Sequence, residues 1–248
     1  NGLVYGNNLT YKSTGITINK QITVEGINLL LAELNPYQTS QDAFTITSDG
    51  VHLINCGATI TSAALPNTTN SAGVYVSGYS NIVIDGGTWT GSINNSYTPG
   101  NYRGVIYIEN GTDNVVQNTI TTDADTEGLW INNSARAKVL NNLAKNAAGS
   151  EIVFYSSYGL MQGNTIIGNA INENSGAAVG GDYVTVAYNE VIDASGWGIS
   201  HGEVTSLGGL IIGNTIKGHG KNATGSSKAG ILSQKANGLV VSNNSVYA

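Results

Sequence analysis

Carboxylate side chains cluster in one stretch of the sequence. Asp123, Asp125 and Glu127 lie just before one apolar segment, Glu109 ends the segment before it, and Glu151 begins the segment after it. Two neighbouring carboxyl groups push their pKa values apart, which suits one acid and one base or nucleophile. Their separation would select the outcome of a glycoside hydrolysis, about 5 Å for retention and about 6.5–9.5 Å for inversion. Glu109, Glu127 and Glu151 are therefore candidate catalytic residues; the alternative is a solubilising charge cluster or a cation site.

Aromatic residues recur at matching places in the same segments. If these segments are strands, alternation sends one set of side chains inward and the other set to solvent. The inward set is then Val74, Val76, Ile106, Ile108, Leu129, Ile131, Ile152 and Phe154. The outward set begins with Tyr75, Tyr107 and Trp130, followed by Val153, while Tyr155 lies two places further on. An exposed aromatic face can bind the apolar face of a sugar ring; the alternative is that the rings pack under a loop or against another subunit.

Basic residues near these segments suggest a second type of chemistry. A polysaccharide lyase needs a base beside a uronic acid and a group that neutralises its carboxylate. Arg103, His201 and Lys138 are candidates, and Arg103 also completes the predicted substrate-binding set of Tyr75, Tyr107, Trp130 and Tyr155. A structural role remains the alternative for each basic residue. The net charge of −6 suits a neutral substrate better than a densely anionic one.

A short repeat must position these residues. Its pattern is an aliphatic pair, one or two further residues, Asn, a small residue and an aliphatic residue, and it returns about every 25 residues. The marker asparagines are Asn118, Asn142, Asn164, Asn189, Asn214 and Asn244. A strand of three to five residues cannot bury its apolar face alone, but stacked coils about 4.8 Å apart bury it together. Asn at equivalent turns can form a hydrogen-bonded amide ladder and tolerates a left-handed backbone.

The repeat predicts an all-β fold, a single right-handed parallel β-helix of about nine coils. We expect one domain over residues 1–248, with residues 1–14 leading into the coils and residues 15–248 forming them. A short helix is expected near residues 27–34, where Asn35-Pro36 would end it. An antiparallel sandwich is the main alternative, although hairpin dipeptides do not fall between the paired segments.

Composition excludes several classes of function. The acidic balance and the absence of a basic cluster argue against nucleic acid binding. No apolar stretch approaches the roughly 18 residues of a membrane span, so membrane insertion is not expected. The single cysteine, Cys56, excludes an internal disulfide framework and a multi-cysteine metal site. The sequence predicts no metal site and no cofactor, and it leaves a bound calcium ion open.

The repeat resembles that of the parallel β-helix proteins, which include pectate lyases, polygalacturonases, alginate lyases and epimerases, and bacteriophage tailspikes. The resemblance is carried best by residues 15–26, GITINKQITVEG, and by residues 210–216, LIIGNTI, and it covers the chain from about Gly15 onward. Gly218-His219-Gly220 matches one element of the polygalacturonase signature, but the other elements are missing. The alginate epimerase and alginate lyase motifs are also missing. The resemblance therefore specifies the fold more strongly than the function.

The leading hypothesis is a carbohydrate-active β-helix that recognises a polysaccharide, similar to a phage tailspike or extracellular depolymerase, and the sequence leaves open whether it also cleaves that polysaccharide. A glycoside hydrolase is favoured over a lyase. The resemblance implies an extracellular or virion-surface location, and it makes a homotrimer one expected assembly. The alternative is a non-enzymatic structural or adhesive solenoid that binds glycans or assembles into a fibre. An epimerase, the third hypothesis, would need Tyr155, His201 and Asp182 on one face.

Overall fold

The computed structural model describes residues 2–13, 15–31, 42–60, 71–91, 104–168, 175–202, 205–220 and 229–247. Within these ranges the chain is all β, and its strands form three long parallel sheets. Each coil passes through the first, second and third sheets in turn, so every strand pairs with its counterpart in the next coil. The chain is a right-handed parallel β-helix, as the repeat predicts.

The strands are short, and their bounds define the coils. The first sheet contains β1 Gly2–Tyr5, β4 Ile22–Glu25, β7 His52–Ile54, β10 Val83–Asp85, β13 Val115–Gln117, β16 Lys138–Leu140, β19 Leu160–Gln162, β22 Thr185–Ala187, β26 Leu210–Ile212 and β30 Val240–Ser242. The second sheet contains β2 Thr10–Lys12, β5 Asn28–Leu31, β8 Gly57–Ile60, β11 Thr88–Thr90, β14 Ile120–Thr122, β17 Leu143–Lys145, β20 Thr165–Ile167, β23 Glu190–Ile192, β27 Thr215–Lys217 and β31 Ser245–Tyr247.

The third sheet carries most of the candidate site. It contains β3 Ile16–Ile18, β6 Phe44–Ile46, β9 Val74–Ser77, β12 Ile106–Glu109, β15 Leu129–Ala135, β18 Ile152–Ser157, β21 Ala177–Gly180, β24 Ile199–His201 and β28 Ile231–Ser233. A small fourth sheet pairs β25 Ser206–Leu207 with β29 Ala236–Asn237. The first two sheets have ten strands each and the third has nine, so the predicted coil count is close.

The core is a column of apolar side chains that point inward from all three sheets. The eight residues predicted to point inward from the third sheet are all fully buried. Trp89, Phe44 and Phe154 are the largest side chains in the column, and the Phe44 and Trp89 rings meet edge to face with centroids 5.8 Å apart. Because consecutive coils share this column, no coil has to bury its apolar face alone.

The predicted asparagine ladder is present inside the turn between the first and second sheets. In each step the side-chain Nδ2 donates to the Oδ1 of the next asparagine, at 2.9 Å from Asn142 to Asn164 and 2.8 Å from Asn164 to Asn189. The ladder continues to Asn214 and Asn244. Asn118 does not belong to it. Thr119 takes the ladder position and donates to Asn142 Oδ1, while Asn118 is a left-handed corner residue with φ 54°.

The prediction of a short helix near residues 27–34 is wrong. Asn28–Leu31 is the strand β5, and residues 32–34 lie outside the described residues. Leu29 and Leu31 are buried while Asn28 and Leu30 are partly exposed, which is an alternation of period two. The pattern of a short apolar run alone does not distinguish a strand from a helix. Pairing with β2 and β8 makes this segment a strand. In the described part of the chain, no helix is long and apolar enough to cross a membrane.

Candidate functional site on the third sheet

Three aromatic side chains lie side by side on the outer face of the third sheet. The register pairs Tyr75 with Tyr107 and Tyr107 with Trp130, so they occupy successive coils. Val153 continues the line in the next coil. We call Tyr75, Tyr107 and Trp130 the aromatic row. Its predicted alignment is confirmed, and its binding role stays a prediction.

The rings of the aromatic row pack against each other. Tyr75 and Tyr107 are stacked, with centroids 5.8 Å apart and planes 15° apart. Tyr107 and Trp130 meet edge to face, at 5.1 Å and 89°. Tyr107 is only 7% exposed because it lies between its neighbours, whereas Tyr75 and Trp130 are partly exposed. Tyr75 and Trp130 are therefore the two members of the aromatic row that reach the surface.

Glu109 is held at one edge of the aromatic row. The Tyr75 hydroxyl donates to Glu109 Oε1 at 3.1 Å, and the Tyr107 hydroxyl donates to Oε2 at 2.9 Å. Asn132 Nδ2 in turn donates to the Tyr107 hydroxyl at 3.4 Å. Burial raises the pKa of Tyr107 to about 12, and the adjacent Glu109 carboxylate contributes in the same direction. Tyr107 is therefore a phenol at neutral pH and remains a donor to Glu109.

An open cleft of about 220 Å³ includes Asn132, the strand-pairing partner of Glu109. It is lined by Asn132, Asn133, Ser134, Tyr155, Ser156, Ser157, Gly181, Asp182 and Thr205. Asn132 pairs with Glu109 across β15 and β12, so the cleft begins where the aromatic row ends. The register between β15 and β18 shifts between Ile131 and Ser134. Such a bulge leaves extra residues on one strand and re-aims their side chains, and here these residues line the cleft.

The other two predicted catalytic residues lie away from Glu109. Glu127 and Glu151 are 7% and 3% exposed and precede β15 and β18. Gly128 N donates to Ser150 O and Leu129 N donates to Glu151 O, so the two glutamates are on adjacent coils but offset by one residue. Along the strand, Glu127 lies five residues before the partner of Glu109, roughly 16 Å away. The predicted carboxylates are thus divided between the two ends of these strands.

Two of the three predicted basic residues, His201 and Lys138, lie away from this face. Arg103 lies outside the described residues. His201 pairs with Val179 in the row that points into the column, and it is fully buried. Burial lowers the pKa of the His201 imidazole. Lys138 lies on the first sheet. Because His201 points inward, it is separated by the sheet from the cleft that contains Tyr155 and Asp182, and these three residues do not form the set that an epimerase would need.

Several residues of the cleft were not predicted as site residues. Asn132, Asn133, Ser156 and Ser157 belong to no motif that the sequence reveals. Their position depends on the bulge in β15, which the spacing of apolar residues does not reveal. Among the described residues, no group of three or more His, Cys, Asp or Glu side chains could hold a metal ion.

Comparison with known proteins decides the family. The family model described as "Right handed beta helix region" matches residues 39–180 and 91–246, which together span most of the chain. The chain belongs to the right-handed β-helix family. No curated protein sequence matches this member of the family closely enough to count as a relative.

Solved structures share the fold of this β-helix at low sequence identity. The A-module of mannuronan C-5 epimerase AlgE6 from Azotobacter vinelandii is 15% identical, with a TM-score of 0.59 over 98% of this chain and 56% of that one. The surface protein and adhesin PfbA of Streptococcus pneumoniae is 13% identical, with a TM-score of 0.62 over 96% and 75%. Tailspike protein 2 of bacteriophage CBA120, its enzymatically active domain, is 16% identical, with a TM-score of 0.61 over 94% and 38%. The chain thus spans about half of the epimerase module, and the likeness is one of fold.

Proposed function

We propose that the outer face of the third sheet binds a polysaccharide. The observation that carries the proposal is the aromatic row joined to Glu109 and the cleft. Trp130 and Tyr75 offer apolar ring surface, and Glu109 offers carboxylate oxygens fixed by two tyrosine hydroxyls. A carboxylate has about four acceptor sites. Two are used by the tyrosines, so others remain for sugar hydroxyl groups.

The cleft supports the same proposal because its lining is suited to a hydroxyl-rich ligand. Asn132 and Asn133 carry amides that both donate and accept, and Ser134 and Ser157 carry hydroxyls. Asp182 is the only charged side chain among the described residues that line the cleft. A neutral or weakly charged glycan therefore fits better than a densely anionic one, whose carboxylates would face Glu109 and Asp182. An extracellular or virion-surface location would follow from this ligand.

The test is affinity electrophoresis in gels that contain one polysaccharide each, with dextran, galactomannan, alginate and capsular polysaccharides as the panel. Wild-type protein should be retarded by at least one neutral polymer. Trp130→Ala should weaken binding to the polymer about fivefold, because a stacked aromatic contact contributes on the order of 1 kcal/mol. Tyr188→Ala is the matched control, since Tyr188 is 63% exposed but lies on another corner of the coil. Equal retardation of wild type and Trp130→Ala would refute the proposed surface.

Cleavage of the bound chain is the second candidate function, and the position of Glu127 and Glu151 on neighbouring coils favours it. Both residues lie at the start of the strands that carry the site, and two neighbouring carboxyl groups suit one acid and one base or nucleophile. Release of reducing ends from the retained polymer, without the ultraviolet absorbance of an unsaturated product, would indicate hydrolysis. Glu127→Gln and Glu151→Gln should then abolish release while retaining binding. Binding without release would leave the β-helix as an adhesive or recognition module.

A further inference from the structure

A stacked pair of tyrosines stands at the corner between the third and first sheets. Tyr158 follows β18 and Tyr183 follows β21, so they lie on adjacent coils. Their ring centroids are 5.3 Å apart with planes 22° apart, and the residues are 64% and 52% exposed. We propose that this tyrosine stack is an outer subsite that binds a further stretch of the polysaccharide held in the cleft. The inference rests on the proposed function and adds a second contact surface to it.

The backbone at these tyrosines is strained. Tyr158 has φ 57° and Tyr183 has φ 54°, in the left-handed region that bulky residues rarely adopt. The backbone ladder places Asn81, Asp113, Arg136 and Gly208 at the same corner of other coils, all with positive φ. Asn, Asp and Gly adopt this conformation at lower cost than tyrosine does. The turn itself therefore accepts several residue types and does not require tyrosine.

The tyrosine stack is continuous with the cleft. Ser157 and Asp182 line the cleft, and each immediately precedes one tyrosine of the stack. Tyr158 N donates to Asp182 O at 2.7 Å, which ties the two coils together at this point. Along β18, Val153 continues the aromatic row, Tyr155 lines the cleft, and Tyr158 begins the stack roughly 16 Å from Val153. One extended chain can therefore contact the three surfaces in sequence.

The charges around the tyrosine stack favour a neutral segment of polysaccharide. The nearest cation along the corner, Arg136, is held by Asp113 in a bidentate pair with bonds of 2.8 and 2.6 Å. Asp182 Oδ1 accepts from Leu207 N at 2.8 Å. The stack itself offers apolar ring surface and phenolic hydroxyls, which suit sugar rings and their hydroxyl groups.

These tyrosines could instead serve only to pack against the neighbouring coil. Tyr188 makes the same kind of packing contact away from the cleft, so it separates the effect of packing from that of ligand binding. A Cβ atom on Gly208 would lie 2.6 Å from Tyr183 Cδ1, so the Tyr183 ring covers that glycine. Tyr188 covers Gly213 in the same way, with 2.6 Å to Cε1, and it has the same φ of 54°. Tyr188, however, lies between the first and second sheets, away from the cleft. If packing is the only role, the loss of Tyr188 should resemble the loss of the stack.

The experiment compares Tyr158→Ala/Tyr183→Ala with Tyr188→Ala in gels containing the neutral polymer that retards the wild type, and by titration with short oligosaccharides of that polymer. We expect the double variant to bind the polymer about tenfold more weakly, with little change for the short oligosaccharides, which the cleft alone can hold. Tyr188→Ala should bind both as the wild type does. Tyr158→Gly/Tyr183→Gly repeats the test with residues suited to positive φ, so a folding defect cannot imitate the result.

Each other result overturns the inference. Unchanged polymer binding by both double variants shows that the tyrosine stack is not a subsite. Equal weakening by Tyr188→Ala shows that the tyrosines act through packing. If the wild type binds no polymer, the proposed function fails and this inference falls with it, whereas polymer binding that depends on Trp130 but not on the stack removes the subsite alone.

Discussion

The inner and outer faces of the third sheet differ in how uniform they are along the column. Inside, coil after coil presents a buried aliphatic or Phe side chain, as in Val76, Ile108, Ile131 and Phe154. Outside, the same strands present Tyr75, Tyr107 and Trp130 in three coils, and Val153 follows in the next. The inner face is constrained by stacking on both neighbours, so it repeats. The outer face is free of that constraint, and the candidate site lies where its residues change type.

The largest effect should come from the interior asparagine ladder. Asn164→Ala should lower the free energy of unfolding by about 3 kcal/mol, because it leaves buried partners such as the Asn142 amide N–H and the Val139 carbonyl without their hydrogen bonds. Urea unfolding followed by circular dichroism measures this. Asn141→Gly is the control, since Asn141 is exposed and left-handed, and it should change stability by less than about 1 kcal/mol. Equal losses for the two variants would mean that the ladder has no special stabilising role.

The inward-pointing row of the third sheet also includes the titratable residue His201, and this should make stability depend on pH. His201 is fully buried, and burial lowers its pKa below the ordinary 6.5. Below pH 6.5 the unfolded chain takes up a proton that the folded chain resists, so the stability present at neutral pH is lost as the pH falls. The slope contributed by this group approaches about 1.4 kcal/mol per pH unit. In His201→Leu this contribution should vanish from unfolding curves measured between pH 7 and 5, whereas His52→Gln, which changes an exposed residue, should retain it.

Substitutions on the outer face should change the pKa values and ligand binding of the site and leave the free energy of unfolding almost unchanged. Glu109→Gln removes a carboxylate that raises the pKa of Tyr107, so that pKa should fall from about 12 while burial keeps it above its ordinary value of 10.0. Nuclear magnetic resonance of ring-labelled tyrosine follows the titration. The free energy of unfolding should change by less than about 1 kcal/mol, because Glu109 is not part of the core. A Tyr107 pKa that does not move would show that Glu109 is not held as described.

The smallest expected change in stability is that caused by removal of the tyrosine stack, which is not needed for folding. Tyr158→Gly/Tyr183→Gly should change the free energy of unfolding by less than about 1 kcal/mol, since relief of the left-handed backbone offsets the lost ring stacking. Thermal unfolding compared with wild type measures this. A loss of several kcal/mol would instead make the stack a structural element comparable with the ladder.

The same contrast explains what the sequence predicts well. Alternation and repeat length fix the inner face, so Leu129, Ile131 and Phe154 were predicted correctly, and the aromatic row follows from the same register. The cleft depends on the bulge between Ile131 and Ser134, which involves no change in the pattern of apolar residues. Glu127 and Glu151 lie on adjacent coils with an offset of one residue, and the spacing of residues in the sequence does not specify such an offset.

Two predictions fail because the structure of a short segment depends on its pairing with the adjacent coils. Asn118 matches the marker position of the repeat, yet Thr119 occupies the ladder because the preceding turn places Asn118 at a left-handed corner. Residues 27–34 have a helix-like composition, yet Asn28–Leu31 pairs with β2 and β8 as a strand of the second sheet. In both cases pairing between coils outweighs the local preference.

Hydroxyl-radical footprinting of the protein with and without a polysaccharide that retards it tests the central claim most directly, because mass spectrometry reports the protection of individual aromatic residues. Trp130, Tyr75 and Tyr155 should become protected, while Tyr188 and the exposed Tyr11 remain as reactive as before. Protection of Tyr188 or Tyr11 without protection of Trp130 would contradict it, since the ligand would then lie on another face of the β-helix.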